Sequence, residues 1–193
     1  WAGVALAGCP LPFVLAMLAW GVQGSLADAA FKQGFTQAGL YETAWLTRVL
    51  LYMPLFVLGG VLADRIGRVP VWSVGFGLRA VGIALCAPME LPLLWAGLGV
   101  LALGRINDGL GMMVFGEYAP RSHRARAFAA AYVAYLAGMV ASLMLNARLD
   151  TWTASTAAVV IALAAGAVVL PLRRSERAAT GPSRTAAVLE SAS

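Results

Sequence analysis

The sequence is poor in charge. Only 12% of its 193 residues are Asp, Glu, Lys or Arg, against roughly 25% in a soluble domain, while 61% are hydrophobic. A soluble fold this apolar would expose large adhesive patches, so lipid is the solvent that fits. Cysteine and histidine are scarce too. Cys9 and Cys86 lie in separate apolar runs, without CxxC spacing or a neighbouring histidine, which leaves no zinc-type arrangement. His123 stands alone in a basic loop and offers neither a metal cluster nor a catalytic pair. HExxH, GxSxG and P-loop patterns are missing, as is any nucleophile with a base or pair of carboxylates in one layer. These absences argue against an enzyme, a resident metal or cofactor, and a nucleotide-driven pump within this chain.

What is present is a series of apolar runs, six of them, each about 18 to 25 residues and so long enough to cross a hydrocarbon core. They fall at residues 4–27, 44–63, 70–87, 92–116, 126–146 and 153–172. Gly67 follows the second run, Pro70 opens the third where a missing N–H is tolerated, Pro88 and Pro92 bracket the turn before the fourth, and Pro120 closes it. Continuous apolarity without period-two alternation argues against a transmembrane barrel. The fold class expected is an all-α membrane protein, a six-helix bundle over residues 1–172, followed by a polar tail over 173–193 rich in Arg, Ser, Thr and Ala that has little to bury.

The formal net charge of +5 could serve nucleic acid or a membrane, and the placement of the arginines decides. Of 14 basic residues, nine lie after runs two, four and six: Arg65, Arg68, Arg121, Arg124, Arg126, Arg173, Arg174, Arg177 and Arg184. Between runs one and two, three and four, and five and six there are only Lys32 and Arg148. Basic loops stay in the cytoplasm, so the N-terminus and the tail are expected there and nucleic acid is not an expected partner. Residues 1–24 lack a basic n-region and are followed by further long apolar runs, unlike a signal peptide. The chain starts at Trp1 rather than Met, as a fragment would. Glycine is frequent within the runs, at Gly59-Gly60, Gly75-x-Gly77, Gly97-x-Gly99 and Gly109-x-Gly111, where it would let helix backbones approach closely.

Two groups of polar residues stand out. The first is Gly60-Val61-Leu62-Ala63-Asp64-Arg65-Ile66-Gly67-Arg68. Asp64 falls near the C-terminal end of helix 2, where a carboxylate faces the negative end of the helix dipole. Arg65, Arg68 or the N-terminus of another helix would have to compensate. Gly67 suits a left-handed turn that ends the helix, and Gly60 shares a face with Asp64. The second group is intramembrane. Arg105 and Asp108 are three residues apart and would share a helix face, with Asn107 between them. A charge at that depth costs about 2.5–3.5 kcal/mol on insertion scales. Arg79, Arg48 and Asp28 are further charges within or beside the spans. For Asp28 the simplest placement is with Lys32 at the headgroups, and for Arg48 it is outward, by snorkelling. Arg105 and Asp108 are expected either to line a central cavity, with Asp108 carrying a proton or Arg105 an anionic group, or to lock helix 4 to a neighbour.

The Gly60–Arg68 stretch closely resembles the G-x-x-x-D-R/K-x-G-R/K-R/K signature between helices 2 and 3 of the major facilitator superfamily, departing only where Val69 replaces a second basic residue. Glu117-Tyr118-Ala119-Pro120-Arg121-Ser122-His123-Arg124 is similar to that family's E-x-x-P-x-x-x-R stretch after helix 4. Arg105 with Gly109 and Gly111 resembles its helix 4 arginine, but stands several residues nearer Glu117. The resemblance covers about residues 4 to 172. It implies one six-helix half of a secondary transporter in the cytoplasmic membrane, a symporter or antiporter of a small-molecule substrate by alternating access. The other half would come from the same polypeptide or a dimer partner. It also implies a conformational latch at Gly60, Asp64, Arg65, Gly67, Arg68, Glu117 and Arg124. The alternative is a six-helix membrane scaffold or enzyme that moves nothing.

Overall fold

The computed structural model describes residues 5–6, 9–107, 110–111, 114 and 124–172. Strands β1 (Ala5–Leu6) and β2 (Cys9–Pro10) pair antiparallel for two residues each. Helices make up the remainder: α1 (Leu11–Gln37), α2 (Tyr41–Ile66), α3 (Arg68–Cys86), α4 (Leu91–Gly104), a 3-10 turn at Arg105–Asn107, α5 (Arg124–Asn146) and α6 (Thr151–Val169). Five of them, all except α4, are long and apolar enough to cross a membrane. The shortest of the five have 19 residues, about 28 Å at 1.5 Å per residue, close to the thickness of the hydrocarbon core. The architecture is the expected all-α membrane bundle.

Helix ends differ from the apolar runs for identifiable reasons. The first run begins at residue 4, whereas α1 begins at Leu11, after Pro10 at its N-cap and with proline in its first turn. The helix then continues past Asp28 to Gln37, because Phe31 and Phe35, one turn apart, are buried and extend its packed face beyond the apolar segment. Gly39, at φ 70°, takes the chain out of it. Helix α3 starts two residues ahead of Pro70, which therefore sits in the first turn, where its missing N–H breaks no helical bond. The fourth apolar run predicts one helix over 92–116. Instead α4 stops at Gly104 and the chain tightens into the 3-10 turn. Beyond it, Leu110, Gly111 and Val114 are helical.

Short links at 38–40, 67, 87–90 and 147–150 make successive helices antiparallel. The α1–α2, α3–α4 and α5–α6 turns therefore share one end of the bundle, and Gly67 lies at the other. Helix α1 packs on α5 and α6, and α3 packs on α4 and α6. Phe13, Met17, Trp72, Phe76, Leu110 and Val169 belong to one buried cluster between these helices. Because lipid tails are as apolar as leucine, close backbone packing and interhelical hydrogen bonds hold such helices together. The crossing of α1 and α5 relies on two glycines. A Cβ on Gly21 would fall on the carbonyl oxygen of Tyr135, and one on Gly138 on the carbonyl oxygen of Leu18. The seam of α3 and α4 is similar: a Cβ on Gly97 would lie 2.9 Å from Gly82 O, and one on Gly104 3.0 Å from Arg79 N. Ser73 Oγ donates to Gly166 O at 2.9 Å, joining α3 to α6. Helices α2 and α5 turn large apolar side chains outward, among them Met53 (76% exposed), Val57 (70%) and Val133 (62%).

Candidate functional site

Four charged residues from four different segments converge part-way down the bundle. Asp28 lies nine residues before the end of α1, Arg48 seven after the start of α2, Arg79 seven before the end of α3, and Arg105 fourteen past the start of α4. With antiparallel helices and 1.5 Å per residue, all four stand roughly 10–20 Å from the same end. The Asp28 carboxylate accepts from Arg48 at 2.6 Å and lies 3.8 Å from Arg105. Arg48 Nε also donates to the Tyr52 hydroxyl, one turn along α2.

Each guanidinium lies near an aromatic ring. Arg48 is 5.1 Å from the Phe31 centroid and 5.4 Å from that of Tyr52, Arg105 is 5.1 Å from Tyr52, and Arg79 is 5.8 Å from Trp20. Cation–π attraction at these distances helps to fix the charged groups where water is scarce. Between them is a narrow cleft, open at its mouth, lined among others by Gln23, Asp28, Arg48, Tyr52, Arg79 and Arg105. Arg79 is 4% exposed and Gln23 is fully buried. Among the described residues, neither polar atom of the Gln23 side chain has a hydrogen-bond partner, a rare state for a buried amide.

Local sequence explains how the cleft is shaped. Gly104 allows α4 to approach α3 at Arg79. Gly59 lets the carbonyl of Ile106 come close to α2, where an added Cβ would lie 2.7 Å from it. The chain between these contacts winds as a 3-10 turn, and Arg105 begins it. A 3-10 turn is common at the C-terminal end of an α-helix.

Of the residues anticipated from sequence, Arg105, Arg79 and Asp28 therefore meet in one cleft. Asp28 does not pair with Lys32 at a headgroup level but with Arg48, and Arg48 points to Asp28 rather than outward. Asp108 and the Asn107 side chain lie outside the described residues. At the opposite end, Asp64 and Arg65 are exposed at the end of α2, Arg68 begins α3 half-buried, and Arg124 begins α5 exposed. Glu117 lies outside the described residues. Gly67 is the whole link between α2 and α3, at φ 98° and ψ 151°, a conformation that L side chains rarely adopt. Gly60 is half-buried, and a Cβ added there would meet nothing within 4 Å. Sequence reasoning missed Gln23 and Tyr52. The available signal was a lone amide in the apolar stretch Leu18-Ala19-Trp20-Gly21-Val22-Gln23.

Chemically, the described lining of the cleft presents guanidinium donors, one carboxylate acceptor and an amide able to do both.

Comparison with known proteins bears on this site. The chain matches a curated relative described as the minor myo-inositol transporter IolF of Bacillus subtilis (strain 168), at 35% identity over 92 residues, 47% of this chain. The match spans only 21% of that relative's length. No solved structure matches the chain. The family profile described as Major Facilitator Superfamily matches residues 11–191, taking in every helix from α1 to α6 and the Gly60–Arg68 link, and the chain therefore belongs to the Major Facilitator Superfamily.

Proposed function

We propose that this chain is one six-helix half of a secondary active transporter, which carries a small polar solute across the membrane by alternating access. The observation that carries the reading is the cleft at Gln23, Asp28, Arg48, Arg79 and Arg105, a polar hollow part-way down apolar helices. Ionisable groups at such depth are costly and usually mark a solute or ion path. Family membership and the transporter-named relative support the same reading, and that relative's name makes a hydroxylated solute the first to assay. Residues 1–172 form the transport bundle. Its partner half comes from the same polypeptide or from a second copy. The tail 173–193 and the N-terminus lie in the cytoplasm, and the membrane is the cytoplasmic one, because the arginine-rich ends stay inside.

In this reading Arg105, Asp108, Asn107, Arg79 and Asp28 line the solute and proton path, and a proton on Asp28 or Asp108 couples transport to the gradient. Gly60, Asp64, Arg65, Gly67, Arg68, Glu117 and Arg124 form a latch that biases the two access states. Reconstitution tests the whole. The whole transporter, this bundle together with its partner half, in proteoliposomes under an imposed pH gradient, should take up a labelled small polar solute saturably, and Arg105→Gln should abolish the uptake. If neutral, anionic and cationic solutes all enter no faster than into protein-free vesicles, while the protein remains folded, transport is not its function.

A further inference from the structure

The sealed end of the cleft is an amide. Gln23, midway along α1, lines the cleft and is fully buried, and neither its Nε2 nor its Oε1 has a hydrogen-bond partner among the described residues. Buried side-chain polar groups are nearly always paired, and one left unpaired carries the cost of its lost hydration. A methionine would fill a similar volume without that cost.

Away from Gln23 the cleft opens. Along α1 the exposure rises from none at Gln23, through 7% at Ala27, to 53% for the Asp28 side chain at the mouth. Gly24 also lines the cleft, is half-buried, and would meet nothing within 4 Å if it carried a Cβ. Room for a small group therefore lies beside the amide, while the amide itself is sealed. Gln23 is buried inside this bundle, so a partner half docked on the outside cannot reach it in this conformation. Its two polar atoms are paired when the cleft opens around them to water, or when it closes on a solute that takes the place of water.

The amide's own inventory sets which solute group can do so. Nε2 donates and Oε1 accepts. A carboxylate only accepts, and would leave Oε1 bare. An ammonium only donates, and would leave Nε2 bare. A hydroxyl does both and rotates its O–H to suit, so two adjacent hydroxyls pair with the amide whichever way it is turned.

We infer that Gln23 makes closure of the cleft conditional on its solute: an empty cleft closes at the cost of an unpaired amide, and a solute with adjacent hydroxyls removes that cost by pairing both ends of it. The inference rests on reading the cleft as the carrier's solute site. It makes Gln23 a specificity-determining residue. A site that must pair its own buried polar groups rejects a molecule that leaves them unpaired.

The test reads opening directly. The protein is the whole transporter, this bundle together with its partner half, purified in detergent and freed of its other cysteines. Gly24→Cys, placed where a side chain has room, is modified by a water-soluble thiol reagent, and the rate is recorded. Adding Gln23→Met should slow the reaction roughly tenfold, the equivalent of about 1.4 kcal/mol in the opening equilibrium. The probes are myo-inositol, mannitol, sodium succinate and ethylammonium chloride at constant ionic strength. One or both polyols should slow the reaction when Gln23 is present and do so much less in Gln23→Met, and neither ion should slow it. Equal rates with and without Gln23→Met overturn the proposal. So does protection by succinate or ethylammonium but by neither polyol, and so does polyol protection undiminished in Gln23→Met. Should Gln23→Met fail to fold, failure of both polyols to protect Gly24→Cys overturns it alone. Saturable flux of a solute with equal modification rates would remove this inference and keep the transporter reading. Slower modification in Gln23→Met and polyol protection, without flux of any solute, would do the reverse.

Discussion

The tightest test of the packing is a set of glycine-to-alanine substitutions that differ only in where the new methyl group would go. At Gly138 a Cβ would collide with the Leu18 carbonyl oxygen and would lie 2.9 Å from Val22 N and 3.1 Å from Leu18 C. Ordinary contact begins at 3.4 Å, so α1 and α5 must part by about an ångström to admit one methyl. The obstacles are backbone atoms within a 27-residue helix and cannot rotate aside as a side chain would. Overpacking of this kind costs about 1–3 kcal/mol, offset by the roughly 0.5–1 kcal/mol that alanine gains over glycine within a helix. A net loss of about 1–2 kcal/mol corresponds to an unfolding temperature lower by roughly 2–8 °C for a domain of this size. Gly21→Ala faces the Tyr135 carbonyl across the same seam and should behave alike. Gly77 and Gly99 have nothing within 4 Å of an added Cβ, so alanine there should be neutral or slightly stabilising. The assay is thermal unfolding in one detergent, followed by the fraction that remains monodisperse. Equal shifts at Gly138, Gly21, Gly77 and Gly99 would refute the claim that close backbone approach holds α1 to α5.

Three other outcomes follow from particular residues. The Asp150 side chain caps α6, accepting from the Thr153 hydroxyl at 2.6 Å and the Thr153 N–H at 3.0 Å, and these bonds hold its carboxyl below the ordinary range. A depressed carboxylate stabilises the fold above its unfolded value of about 4 and loses that contribution as pH falls through the lower folded value. Asp150→Ala should therefore lower the unfolding temperature near neutral pH and change it little once the carboxyl is protonated, and an equal effect at both pH values would contradict the cap. With Cys9 and Cys86 replaced, an impermeant thiol reagent applied to intact cells should label a cysteine at 37 and spare one at 124, since the two stand at opposite ends of the bundle; the reverse pattern would invert the proposed topology. Asp64→Asn should insert normally in the whole transporter yet slow transport, and wild-type flux in that variant would reduce Asp64 to a solvated surface charge.

Much of the architecture was legible because lipid imposes a simple rule. A span must be apolar and about 20 residues long, and that rule alone located α2, α3, α5 and α6 to within a few residues. The Gly67 link was equally legible, since few residues other than glycine adopt φ 98°. The rule failed where a helix outlasts its apolar segment, as α1 does through Asp28 to Gln37, and where a helix changes winding inside an apolar segment, as at Arg105–Asn107. Sequence reading found some of the glycines that matter and missed others. In the doubled motifs Gly59 and Gly97 make close backbone approaches while Gly60, Gly77 and Gly99 meet open space, and the solitary Gly21 and Gly138 pack α1 against α5.

The sequence by itself determined that this chain lives in a membrane, how many apolar runs it has and where most of them turn, because those properties depend on local composition. Only the tertiary structure decided that Asp28 pairs with Arg48 and approaches Arg105, and that Gln23 is buried beside them without a partner among the described residues. From sequence, Arg105 could be paired only with Asp108 on its own helix, because periodicity relates residues along one helix and says nothing of the register between two. Depth is shared by residues far apart in the chain, and it takes the packed bundle to bring α1, α2, α3 and the turn after α4 to one level around a common cleft.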